Sequence, residues 1–234
     1  MHAGFLAVLS EPGELVTFDE FQDWYNNEHV PLRLDPRFSF LTAARFSALD
    51  GFTPSWIALY DTASTSLFED ESYKGLRKNR SVREADLVKR LAVLDRRTCE
   101  RIWCSGQTNL TTSLAAANPT KIIMTHGLDI GDAAEVEKWA VQKAEESKLV
   151  EGWILTTIHK CIDTLKTGVT VPPGPDAQRV PPYFVMHGWC FPLEFLDSKD
   201  ADEVIAKRFL SGVPELRKWE LYRAWATPAQ QKQT

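Results

Sequence analysis

Three short segments recur in this chain in the same order and at similar spacing, and that repetition constrains the fold more than any other feature. Phe40-Leu41-Thr42-Ala43-Ala44-Arg45 aligns with Ile154-Leu155-Thr156-Thr157-Ile158-His159. Pro54-Ser55-Trp56-Ile57-Ala58-Leu59 aligns with Pro182-Tyr183-Phe184-Val185-Met186-His187, and Arg101-Ile102-Trp103 with Arg223-Ala224-Trp225. One such match is noise, whereas three in register indicate a duplicated unit. In this alignment Arg45 and His159 occupy equivalent places, as do Arg101 and Arg223.

Each unit also repeats one order of elements. In the first, Phe5–Ser10 is an apolar run of strand length. Thr17-Phe18-Asp19-Glu20 then forms a capping box, in which the hydroxyl and carboxylate satisfy the free N–H groups of a helix start. Phe18, Phe21, Tyr25 and His29 follow at helical spacing, and Pro31 is expected to end the helix. Phe38–Leu49 and Trp56–Tyr60 read as strands around the turn Asp50-Gly51 and Pro54. Ser66–Leu94 is helical with a break near Asn79-Arg80-Ser81, and Thr98–Cys104 is the closing strand. The second unit predicts strands at Ile122–Gly127, Trp153–Ile162, Tyr183–Phe191 and Trp219–Ala226, with helices opening at Asp132 and over Asp200–Leu210. Ser105–Asn118 is a polar linker. Lys166–Pro182 holds five prolines and reads as a surface insertion able to lean over a pocket mouth.

A β-α-β-β-α-β unit makes a four-stranded antiparallel sheet with helices on one face. Runs such as Phe5–Leu9 are apolar on both sides, so the other sheet face must also be covered. Two tandem ferredoxin-like halves (1–106 and 120–234, joined by 107–119) solve this by packing sheet against sheet. The fold class is therefore α+β, with both halves of a dimeric α+β barrel in one chain, as a monomer or a homodimer of such barrels.

Composition excludes several functions. The net charge of −5 lacks the basic stripe that nucleic acid requires, and the Lys/Arg run from Lys74 to Arg97, interleaved with Glu84, Asp86 and Asp95, reads as a solvated helix face. No run reaches the roughly 18 apolar residues of a membrane span. The amino-terminal segment reads as a first strand, not a signal peptide. Four cysteines without a CxxC pair predict reduced thiols and a cytoplasmic setting. No phosphate loop, HExxH or GxSxG is present, and no cofactor or metal is expected.

The densest motif is Trp24-Tyr25-Asn26-Asn27-Glu28-His29-Val30-Pro31-Leu32. Tyr25 and His29 lie one helical turn apart, where His29 can shuttle a proton and Tyr25 can donate a hydrogen bond. Packing of helix on sheet is the alternative reading of both. Following a strand and a capping box, this block resembles the EthD family of the dimeric α+β barrel superfamily, most strongly over residues 1–105 and particularly its fungal members. The resemblance implies a pocket between helix and sheet with His29 as acid/base. Superfamily relatives include muconolactone isomerases, cofactor-free quinol monooxygenases, polyketide cyclases and heme-degrading enzymes. The second unit lacks the motif, and Ala144 falls about where His29 should be.

Other candidates lie on strands. His126, His187 and His159 belong to three neighbouring strands. They could converge on a metal if their side-chain parity agreed, act as acid/base groups, or be separately hydrogen-bonded. Arg45 is a candidate for a substrate carboxylate or phenolate. For Arg101 and Arg223 an ion pair between sheet and helix is expected. Asp61 could orient a histidine or cap a turn, and Trp24 and Trp56 could supply stacking surface, though core packing is the commoner use.

Together these readings predict a cofactor-independent enzyme of aromatic or polyketide-like small molecules. Its catalytic candidates are His29, Tyr25, His126 and His187, and its substrate-binding candidates are Trp24, Arg45, Trp56, Asp61 and His159. The reaction would be cyclisation, dehydration, decarboxylation or isomerisation. The alternatives are a cofactor-free quinol-type monooxygenase, and a non-catalytic ligand- or heme-binding stress-response barrel with a strand histidine as axial ligand.

Overall fold

Eight antiparallel strands close into a barrel in which each expected sheet supplies four neighbouring staves. The computed structural model describes residues 2–106, 112–190 and 212–227. The first half contributes β1 (Gly4–Glu11), β2 (Ala43–Ala48), β3 (Trp56–Thr62) and β4 (Val93–Cys104). The second contributes β5 (Ile122–Leu128), β6 (Trp153–Thr167), β7 (Tyr183–Trp189) and β8 (Arg217–Trp225). Around the barrel the order is β1-β3-β2-β8-β5-β7-β6-β4. Each half therefore keeps the 4-1-3-2 order of a βαββαβ sheet, and β2·β8 and β4·β6 are the two seams. Closure removes every exposed strand edge.

Strand alternation sorts side chains into two layers. Phe5, Ala7 and Leu9 of β1 point into the barrel with Phe46, Ile57, Leu59, Phe184 and Trp219. Leu6 and Val8 point outward, beneath the helices of the first half. Those helices are α1 (Phe18–Trp24), a π-helical turn (Tyr25–His29), α2 (Val30–Arg33), α3 (Glu71–Lys78) and α4 (Val82–Arg90). Over the second sheet, α5 (Ala133–Ser147) buries Val136, Ala140 and Ala144. The Asp200–Leu210 helix expectation lies outside the described residues. Among them, no helix is long and apolar enough to cross a membrane.

Several local expectations change. Pro31 does not end its helix. The π turn is closed by Val30 N–H donating to Tyr25 O, and Pro31 then sits in the first turn of α2, where no N–H is needed. Phe18 is 58% exposed, outside the buried stripe. The Phe38–Leu49 strand starts only at Ala43, because Phe38 and Phe40 pack under the helices, with one bridge from Phe40 to Thr62. The break near Asn79–Ser81 separates α3 from α4, while β4 begins at Val93, before the expected Thr98.

The repeat alignment also slips. Arg45 points outward beneath α1, whereas His159 lies inside the barrel, stacked on Phe5 at 3.7 Å. A one-residue shift in a strand exchanges its faces, so Phe46, which faces inward, is a counterpart for His159 and Arg45 is not. Nor do Arg101 and Arg223 make sheet-to-helix ion pairs among the described residues. Arg101 borders a cavity, and Arg223 stacks on Trp225.

Candidate functional site

Two helix starts built from the same sequence device meet at one histidine. Thr17 caps α1 by accepting from Glu20 N, and Ser81 caps α4 by accepting from Glu84 N. In an ordinary capping box the carboxylate three residues after the cap reaches back to its own helix start. Glu84 instead extends to His29, with Oε1 2.7 Å from Nδ1. The π turn carries His29 to this point with Phe21, Trp24 and Tyr25 all fully buried beside it. Such wide turns recur at functional positions because they re-aim side chains that a regular helix would distribute round its axis.

The electrostatics fix the tautomer. Burial pushes the Glu84 carboxyl up, but the His29 hydrogen bond and the charges of Arg33 and Arg80 hold the group below its ordinary value. An ionised carboxylate only accepts, so His29 Nδ1 carries the proton. Burial is also the largest influence on His29, followed by repulsion from Arg33, and they lower its pKa to about 3 against the pull of Glu84. The imidazole is thus neutral near pH 7. Its Nε2 has no hydrogen-bond partner among the described residues and holds a free lone pair. His29 lines a 410 Å³ cavity between the outer face of the first sheet, the helices and the start of the 166–182 insertion. Leu6, Val8, Leu94, Leu165 and Val169 form its apolar surface, and Arg33 anchors the site by donating to His29 O at 2.8 Å.

The other candidates of the first half support this site from behind. Tyr25 sets its ring edge against His29 at 5.0 Å, and its hydroxyl faces Ser10 Oγ at 3.4 Å, away from the cavity. Burial pushes its phenol above the usual range. Trp24 lies 4.5 Å from the His29 ring and is fully buried. Arg45 Nη1 donates to Gln22 Oε1 at 2.8 Å, and its guanidinium lies between the rings of Tyr25, Trp56, Phe21 and Tyr222 at 3.9–5.3 Å. Four aromatic faces stabilise this buried cation, which has no carboxylate partner among the described residues. Trp56 is one wall of that cage.

The second half builds something different. His126 and His187 lie side by side on the outer face beneath α5, with their Nε2 atoms 3.1 Å apart. Each donor has one acceptor: Trp153 Nε1–H to Thr156 Oγ1, Thr156 O–H to His187 Nδ1, His187 Nε2–H to His126 Nε2, and His126 Nδ1–H to Gly127 O. The last acceptor is a carbonyl, which sets the direction of the whole chain. Burial keeps both rings neutral, lowering His126 to about 4 and His187 well below the usual range. His159 is on the opposite face, with Nε2 2.9 Å from Thr157 Oγ1. The three strand histidines therefore do not converge, because their parity differs. Among the described residues no cluster of three metal-binding side chains forms. Asp61 and His159 border a common 210 Å³ cavity at one barrel mouth, but Asp61 accepts from Thr42 Oγ1 and orients no histidine.

At the other mouth the 166–182 insertion covers a 750 Å³ cavity through Val171, Pro172 and Pro173. Its charges are paired internally: Arg97, 3% exposed, donates to both Asp95 and Glu215. His126 borders this cavity, but both of its nitrogens are engaged.

Sequence reading missed Glu84, which it placed on a solvated face, and gave no role to Arg33 or Arg80. The available signal was Ser81-Val82-Arg83-Glu84, a second capping-box pattern. Pattern alone does not show where the carboxylate points.

No family model and no curated protein matches the sequence. Solved structures match it by shape. An anthrone oxidase-like protein aligns with a TM-score of 0.59 at 9% identity, covering 97% of this chain and 94% of that one. A candidate monooxygenase from Lactobacillus acidophilus aligns with a TM-score of 0.51 at 11% identity, covering 97% of each chain. A candidate chlorite dismutase aligns with a TM-score of 0.51 at 8% identity, covering 94% of this chain and 95% of that one. At such identities the likeness concerns the fold alone. The chain is a dimeric α+β barrel with both halves in one polypeptide, and it spans nearly the full length of the structures it matches.

Proposed function

We propose that this protein is an enzyme that moves a proton on a hydrophobic, aromatic or polyketide-like small molecule, with His29 Nε2 as general base and Glu84 as the group that orients it. The observation that carries this reading is the His29–Glu84 pair at the wall of an apolar cavity. Of the four buried histidines, His29 alone combines a carboxylate on one nitrogen with a cavity-lining position and an unengaged second nitrogen. A carboxylate behind an imidazole holds the productive tautomer and stabilises the imidazolium that forms when the base takes a proton. Tyr25 and Trp24 position the ring by packing, and the resemblance to EthD proteins supports the same assignment.

Proton abstraction is the opening step of cyclisation, dehydration and isomerisation alike. It also opens cofactor-free oxygenation, in which a phenolate reacts with molecular oxygen. That second reading is favoured by the likeness of the fold to the anthrone oxidase-like protein and to the candidate monooxygenase. The heme-binding reading does not suit the strand histidines, since His126 and His187 have both nitrogens bonded and His159 is enclosed by Phe5 and Thr157.

Incubation with hydroxylated anthrones and related polyketides, followed by mass spectrometry and oxygen-electrode measurement, tests the proposal beside a His29→Gln control. Loss of 18 or 44 mass units, or a mass-neutral retention shift, assigns the first reading. Gain of 14, one oxygen atom gained and two hydrogens lost as water with the other oxygen atom, together with oxygen uptake assigns the second. Equal turnover by the His29→Gln variant overturns both. A Soret band on adding heme, absent in that variant, would make His29 an axial ligand instead.

A further inference from the structure

Among the described residues, five cations and no carboxylate line the His29 cavity. They are Arg33, Arg77, Arg80, Lys89 and Arg96. This concentration is unexpected in a chain of net charge −5. Arg96 is paired with Asp163 at 3.0 Å, and Arg33 is held by a backbone carbonyl. Arg77, Arg80 and Lys89 form no ion pair among the described residues. Arg77, Arg80 and Arg96 also line an adjoining 570 Å³ cavity, so their guanidinium groups stand between two hollows. Unpaired like charges held together raise the free energy of the empty protein, and an anion placed among them relieves the repulsion.

We infer that the molecule taken by this site is an anion with an apolar body, its carboxylate or equally charged oxygen group held by Arg77 and Arg80 while its body lies on Leu6, Val8 and Leu165 beside His29. The inference rests on the reading of this cavity as the active site and adds its charge requirement. Desolvation first, and then crowding by Arg96 and Arg80, lower the affinity of Arg77 for its own proton. The same positive field acts on His29, where Arg33 is the largest influence after burial. A bound anion cancels part of that field and makes Nε2 a stronger base. The site then favours proton abstraction from charged ligands over neutral analogues of the same shape.

The test uses 3-hydroxy-2-naphthoate and its methyl ester as probes of equal ring shape. Fluorescence titration is made against the wild-type protein, an Arg77→Gln/Arg80→Gln variant and His29→Gln. The inference expects the acid to bind at least tenfold more tightly than the ester to wild type. It expects the double variant to lose that preference and the salt dependence of binding, with ester affinity and thermal melting unchanged. Equal affinity of wild type for acid and ester overturns it, as does an unchanged acid affinity in the folded double variant. The His29→Gln arm separates the two proposals. Acid preference retained there, with turnover also retained, removes the catalytic role of His29 and leaves the charge requirement standing. Acid preference absent from every protein, with turnover lost only in His29→Gln, does the reverse.

Discussion

Glu84 Oε1 lies 2.7 Å from His29 Nδ1, joining the first turn of α4 to the π turn that follows α1. The contact fixes which imidazole nitrogen faces the cavity. Replacing His29 by Gln is expected to lower turnover by about 10²- to 10⁴-fold, the usual contribution of a positioned general base. Glu84→Gln keeps the shape but accepts or donates without charge, so it should lower kcat more than it raises KM and shift the acid-side limb of the pH profile, where His29 takes up its proton. A Glu84→Gln enzyme with wild-type kcat and pH profile would show that the pair is only structural.

The neutral imidazoles make stability depend on acidity. His29 and His159 are lowered to about 3 and His126 to about 4, each with burial as the leading cause. A histidine whose folded pKa lies below its unfolded value binds more protons when unfolded. Stability is therefore level above about pH 6.5 and falls as the pH drops from there toward the folded values, by up to about 1.4 kcal/mol per pH unit for each group. Urea denaturation between pH 8 and pH 4.5 should show this slope, and His126→Asn should make it shallower. A flat profile across that window would refute the neutral buried assignment.

Arg97 is the buried centre of an ion cluster at the barrel mouth, reaching Asp95 at 2.8 Å and Glu215 at 2.6 Å. Asp95 is itself 4% exposed and keeps only a longer contact, at 3.6 Å, with Lys166. Arg97→Ala leaves that carboxylate largely uncompensated and should cost about 3–5 kcal/mol. Chemical denaturation measures it, and a loss below about 1 kcal/mol would mean that water compensates the pair.

Gly168 begins the insertion beside the His29 cavity with φ 142°, and an added Cβ would fall 2.1 Å from Ala92 O. Gly168→Ala forces the insertion off the start of β4, costing about 1–3 kcal/mol for the strained backbone alone. Because Gly168 and Val169 line the cavity, ligand affinity should fall together with the melting temperature. A variant that binds the naphthoate probe as wild type does would show that the insertion does not shape the site.

The amino-acid order alone determined the local and periodic features of this protein. Apolar runs, the cap at Thr17, the break at Asn79–Ser81 and the duplicated order of elements follow from interactions between near neighbours, and they sufficed for two four-stranded halves closing on each other. They also placed His29 on a buried helix face. Pro31 does not stop the helix as its residue type predicts, because a wider turn accommodates it, and that turn goes with the burial of Trp24, Tyr25 and His29 together.

Tertiary structure alone decided the partners. Strand parity separated His159 from His126 and His187, and a one-residue shift within the repeat is enough to reverse such an outcome. Glu84 is 55 residues from His29 in the chain, and Arg77, Arg80 and Arg96 come from a helix, a loop and a strand. Their charges look dispersed in the sequence because electrostatic interaction depends on distance in space. The packing of α3, α4 and β4 brings that distance down around one cavity.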